Sequence, residues 1–120
     1  MNNHGKINYI EFPSTDLALT KHFFHAAFGW EFEDYGPEYV AIHKAGLDGG
    51  FFKSGQVVST ETGSCLVVIY SDAPEETLTK IKSVGGKIIR PMFSFPGGRR
   101  FHFRDPTGNE YAVWGNVEIS

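Results

Sequence analysis

The chain of 120 residues has the size of one domain, long enough to bury a core and too short for two independent ones. Apolar residues make up 41% and aromatic residues 15%, which excludes a disordered chain. A net charge of −3 supplies no positive field to draw in nucleic acid or an anionic membrane, and no run approaches the roughly 20 apolar residues that span a bilayer, so a small organic molecule is the expected partner.

In chain order, Ile7 to Phe12 alternates Ile7, Tyr9 and Glu11 with Asn8, Ile10 and Phe12, the period-two pattern of a strand, which Pro13 is expected to end. From Asp16 to Phe28 the residues Leu17, Phe23, Phe24, Ala27 and Phe28 fall close to helical spacing. Ser14, Thr15 and Asp16 offer N-cap side chains, and Gly29 suits the left-handed stop. Short β-prone runs follow at Trp30 to Tyr35, Tyr39 to His43 and Gly50 to Lys53, separated by Gly36-Pro37 and by the glycine-bearing stretch Gly46 to Gly49. The polar stretch Ser54 to Gly63 reads as a linker.

The order then repeats. A strand from Cys65 to Tyr70 precedes a helix from about Ala73 to Val84, with Pro74 in its first turn, Asp72 and Glu75 at capping-box spacing, and Leu78, Ile81 and Val84 as its buried stripe. Three strands follow, Lys87 to Ile89, Arg99 to Arg104 and Asn109 to Trp114, the last two joined by the turn Asp105-Pro106-Thr107-Gly108. Asp16 precedes Gly29 by the interval that separates Asp72 from Gly85, so one unit occurs twice. The expectation is a single domain over 1–120, with module one at about 6–54 and module two at about 64–116.

The stretches STDLALTKHFFHAAFGWEFED, YSDAPEETLTKIKSVGGKIIRP and FHFRDPTGNEYAVW together resemble the vicinal-oxygen-chelate superfamily of glyoxalases, bleomycin-resistance proteins and extradiol dioxygenases over nearly the whole chain. The resemblance implies an α+β fold of two βαβββ modules, with curved, barrel-like mixed sheets and helices outside, enclosing a small-molecule site, usually in a homodimer. It does not fix a reaction, because the fold hosts isomerases, dioxygenases, thiol transferases and drug-sequestering proteins. Metal-dependent relatives hold a divalent ion with His or Glu from the first and last strands of the modules. Carried over singly, those positions fall on Tyr9, Leu66 and Ala112, with the fourth in the stretch Asp48 to Gly50, where Asp48 alone has a coordinating side chain. A catalytic divalent site needs about three protein ligands, so no metal cofactor is expected.

Strand alternation puts Glu11 on the face of Tyr9, and the family pattern turns that face, with Glu110, Ala112 and Trp114 of the last strand, toward the cup. His102 shares its face with Arg100 and Arg104, opposite Phe101 and Phe103. Glu11 and His102 are the candidate acid/base residues, and Tyr9, Tyr70, Glu110 and Trp114 the candidate ligand-binding ones. The plainer reading of Glu11 is a carboxylate paired with Arg100 or Arg104 or facing solvent. Trp30, Tyr39, Phe51, Phe52, Tyr70 and Trp114 divide between an apolar pocket and ordinary packing. His22 and His25, at i, i+3 spacing, read as solvated, and Cys65 as a small strand hydrophobe. The run GRRFHFRD interleaves basic residues with rings but lacks the small residues of an RNA-stacking strand, so no nucleic-acid partner is expected.

These observations lead to a metal-independent protein that binds or sequesters an organic ligand. The alternatives are a metal-dependent lyase or dioxygenase using Zn, Ni, Mn or Fe, and a metal-free isomerase using Glu11 or His102. The lone cysteine and the absence of an apolar leader in MNNHGKIN place it, as an expectation, in the cytoplasm.

Overall fold

A computed structural model describes residues 4–116; residues 1–3 and 117–120, the ends of the expected 1–120 domain, lie outside the described residues. The first half runs β1 (Tyr9–Ser14), α1 (Leu17–Phe28), β2 (Glu31–Asp34), β3 (Tyr39–His43) and β4 (Asp48–Lys53). The second runs β5 (Val67–Tyr70), α2 (Pro74–Ser83), β6 (Lys87–Phe95), β7 (Gly98–Arg104) and β8 (Glu110–Gly115), after a 3₁₀ turn at Thr60–Thr62. The first sheet has the strand order β1-β4-β3-β2 and the second β5-β8-β7-β6, so both halves use one topology: two curved, four-stranded mixed sheets with two helices. In each, the first strand pairs parallel with the last and the remaining pairs are antiparallel.

Local chemistry repeats with the topology. Ser14 Oγ lies 2.8 Å from Thr20 Oγ1 and accepts the Asp16 N–H, while Ser71 Oγ lies 2.7 Å from Thr77 Oγ1 and accepts the Ala73 N–H. Each serine thereby ties the end of a first strand to the opening of the following helix. Asp16 caps α1 by accepting the Leu19 N–H at 3.1 Å, and Gly29 closes it at φ +75°. The capping box expected at Asp72 and Glu75 does not form: the N-cap of α2 is Ala73, without a side-chain cap bond. The repeat thus aligns Asp16 with Ala73, one residue later than the Asp16–Asp72 match suggested.

Two strands also run past their expected ends. β1 continues through Pro13 to Ser14, because β1 is an edge strand and the missing N–H breaks no ladder bond on its open side. β6 reaches Phe95 rather than Ile89, passing Pro91 with register shifts between Ile88 and Arg90 and between Arg90 and Phe93.

One aromatic core joins the halves. Phe12, Phe23, Phe24, Trp30 and Phe51 from the first half meet Phe101, Phe103 and Tyr111 from the second, all buried. Phe24 stacks on Trp30 at 4.6 Å and meets the edge of Tyr111 at 5.1 Å, which in turn stacks on Phe103 at 5.2 Å. Each such ring contributes about 1.5–3 kcal/mol by leaving water. Among the described residues, no helix is long and apolar enough to cross a membrane.

Candidate functional site

Because the core faces are filled with rings, the opposite face of each sheet carries the polar side chains. On the first sheet, register places Tyr9 beside Asp48, Glu11 beside Gly50, and Pro13 beside Phe52, which lies opposite Tyr39. Tyr39 lies across Gly50 so closely that a Cβ there would fall 2.0 Å from the phenol oxygen. The Tyr39 hydroxyl donates to Glu11 Oε2 at 2.8 Å and sits 2.5 Å from the Tyr9 hydroxyl. With its one proton committed to Glu11, Tyr39 accepts from Tyr9, and the three groups form a relay ending on a carboxylate. Burial, then the bonds to Tyr9 and Glu11, push the Tyr39 phenol well above its ordinary range. Tyr9 and Glu11 are exposed.

On the second sheet the outward rows are Phe93, Arg100, Trp114 and Tyr70; then Arg90, His102, Ala112 and Val68; then Lys87, Arg104 and Glu110. His102 and Glu110, at 5% and 4% exposure, form a buried pair with Nδ1 3.0 Å from Glu110 Oε2. The segment read as a linker straps this face. Glu110 Oε1 accepts the Thr60 N–H at 2.7 Å and its hydroxyl at 3.0 Å, and Asn109 Oδ1 accepts the Val58 N–H at 2.9 Å. Burial raises the Glu110 carboxyl, but the bonds from His102 and Thr60 outweigh it and hold the group below its ordinary value of 4.5. The ionised carboxylate therefore accepts a hydrogen bond from Nδ1–H, and the other ring nitrogen, Nε2, is buried without a hydrogen-bond partner. Trp114 meets the Tyr70 ring at 5.1 Å.

Between the first strands of the two halves lies an apolar cleft of about 500 Å³, walled by Ile10 and Phe12 of β1 and by Val67 and Ile69 of β5, with Phe28 and Trp30 behind them and Tyr70 also lining it. The residues named from sequence thus form two groups: Tyr9 and Glu11 on one sheet, and Tyr70, His102, Glu110 and Trp114 on the other. Glu11 pairs with neither Arg100 nor Arg104; its partner is Tyr39. Sequence reading placed Tyr39 only among candidate pocket rings, and the signal it lacked was the β1-β4-β3 order that sets this phenol over a glycine. Phe51 and Trp30 join the core, and His25 bonds the Trp30 carbonyl at 3.0 Å through Nδ1.

The repeat locates the four positions that the resemblance marks for metal ligands. With Ser14 matched to Ser71, Tyr9 corresponds to Leu66 and Glu11 to Val68. Glu11 lies opposite Gly50 as Val68 lies opposite Ala112, so the fourth position is Gly50 and not Asp48. The four positions carry a phenol, a leucine, an alanine and a glycine whose side-chain space the Tyr39 ring occupies. Among the described residues, no group of three or more His, Cys, Asp or Glu side chains is arranged to hold a metal ion. These residues do not fit a divalent cation, which takes about three protein ligands.

The solved structures that match share the fold at low identity. A glyoxalase-related enzyme from Fulvimarina pelagi is 20% identical with a TM-score of 0.75, over 93% of this chain and 88% of that one. The fosfomycin resistance protein FosX from Listeria monocytogenes is 18% identical with a TM-score of 0.77, over 94% of each chain. TioX from Micromonospora sp. ML1 is 19% identical with a TM-score of 0.70, over 94% of this chain and 100% of that one. Comparison with curated protein sequences gives no match. A family model matches residues 6–113, and the chain belongs to the glyoxalase/bleomycin resistance protein/dioxygenase superfamily.

Proposed function

We propose that this chain is a metal-independent binder of a small organic molecule, acting as a cytoplasmic homodimer by sequestration or sensing. The observation that carries this reading is the filling of the four metal positions by Tyr9, Gly50, Leu66 and Ala112, none of which supplies His or a carboxylate. Support for a ligand role comes from the outward faces, which present the exposed rings of Tyr9 and Tyr70 and, beside Tyr9, the polar group of Glu11. The two groups stand on different sheets of one chain, and in the proposed homodimer a second copy would bring them into one cup. A fold that also occurs in resistance proteins suits this role.

One observation favours a second reading. Glu110 orients His102 through Nδ1 and leaves Nε2 unbonded, the arrangement of a proton-transfer base, so a metal-free isomerase would use His102 with Glu110 as its positioning residue. Thermal unfolding with Zn²⁺, Ni²⁺, Mn²⁺ or Fe²⁺, together with metal analysis of the purified protein, tests the primary reading. An ion at about a hundred times its Kd adds about 2.7 kcal/mol to the folded state, so a site would raise Tm by several degrees. We expect no ion to do so and no stoichiometric metal; either finding would overturn metal independence.

A further inference from the structure

The outward face of the second sheet carries positive charge that its own carboxylates do not balance. The register shifts in β6 bring Arg90 and Phe93, three residues apart, to that same face opposite His102 and Arg100. The guanidinium carbon of Arg90 lies 4.0 Å from the Phe93 ring centre and that of Arg100 lies 5.5 Å from it, with the His102 ring at 6.2 Å. Among the described residues, neither Arg90 nor Arg100 has a carboxylate partner, whereas Arg104 reaches Glu61 at 3.6 Å and His102 is paired with Glu110. Independently of the charge count, Arg100 Nε is buried without a hydrogen-bond partner, as is Nε of the neighbouring Arg104. The Arg100 Nε–H, a buried donor left unmade, is costly unless an acceptor completes it.

We infer that this face binds a small organic anion, a carboxylate or phosphoryl oxyanion on a flat apolar body. The guanidinium forks of Arg90 and Arg100 match the paired oxygens of such a group, and Phe93 holds both cations in place by cation–π contact. Trp114 and Tyr70, in the row of Arg100, supply a ring surface for the rest of the ligand. This inference rests on the small-molecule reading above and adds the charge of the molecule.

Calorimetric titration of the full chain at constant ionic strength with benzoate, phenylphosphonate and the neutral isostere benzamide tests it. At least one anion should bind ten times more tightly than benzamide. R90Q and R100Q should each lose at least tenfold in anion affinity, while K80Q, which removes the same charge from α2, should lose none. If benzamide binds as tightly as both anions, the charge inference falls while the small-molecule reading stands. If none of the three binds, the inference falls as well. Loss of dimer in R100Q by sedimentation, with no anion affinity in the parent chain, would assign these arginines to a partner copy and also overturn it. Circular dichroism checks that the variants fold, and the anion-to-benzamide comparison on the unaltered chain decides the matter without them.

Discussion

Replacing Glu110 by alanine tests whether the strap and the second cup face are one hydrogen-bonded unit. The substitution removes the acceptor shared by His102 Nδ1 at 3.0 Å and by the Thr60 amide and hydroxyl at 2.7 and 3.0 Å. His102 is buried, so its orphaned donor loses about 1–3 kcal/mol, whereas Thr60 is exposed and recovers part of its loss from water. A total of about 2–4 kcal/mol follows, and at roughly 4 °C per kcal/mol for a chain of this size Tm falls by about 8–16 °C. Glu110→Gln is milder, at about 1–2 kcal/mol. Its amide oxygen still accepts from Thr60, but its amino group faces His102, which then accepts at Nδ1 and carries its proton on Nε2. Urea unfolding measures the losses, and hydrogen exchange at Thr60 and its neighbours should quicken in both variants. A Glu110→Ala loss below about 0.5 kcal/mol, or unchanged exchange in the strap, would refute the reasoning.

Gly50→Ala forces the Tyr39 ring aside, because the new Cβ would meet its oxygen at 2.0 Å, and should cost about 1–3 kcal/mol by urea unfolding. Tyr39→Phe, which breaks only the bonds to Glu11 and Tyr9, both exposed, should cost less than about 1 kcal/mol. The pH dependence of stability has a defined sign at Glu110: its folded carboxyl lies below the ordinary 4.5, so the unfolded chain binds its proton first as pH falls. The stabilisation is complete above pH 4.5 and is lost as pH drops through the folded value. The stability difference between the parent chain and Glu110→Gln should therefore shrink as pH falls below 4.5. A difference that stays constant or grows on acidification would contradict the assigned bonds.

Periodicity was enough to read both helices, since Phe24, Ala27 and Phe28 in α1 and Leu78 and Ile81 in α2 fall at helical spacing, and Gly29 is the residue type that stops a helix at positive φ. Alternation alone also assigned Tyr9 and Glu11 to one face, and His102 to the face opposite Phe101 and Phe103, because the side-chain period of a strand is two wherever the strand lies. Single-residue rules failed where a neighbouring group or the strand order decided. Asp72 has the chemistry of a cap, but Ser71 takes the Ala73 amide and the helix begins one residue later. Pro13 breaks a strand in general, yet here it stands on an open edge.

The site itself depends on pairings distant in sequence, and those required the tertiary structure. Tyr39 reaches Glu11 because β4 lies between β1 and β3 with a glycine at the crossing point, and Thr60 reaches Glu110 because the strap crosses β8. Arg90 and Phe93 share a face through register shifts that no alternation pattern records. The choice of Gly50 over Asp48 likewise rests on a cross-strand register. Side-chain periods are set by bonded neighbours and can be read along the chain, whereas strand order and register arise from packing the whole aromatic core, and they alone decide which polar groups meet.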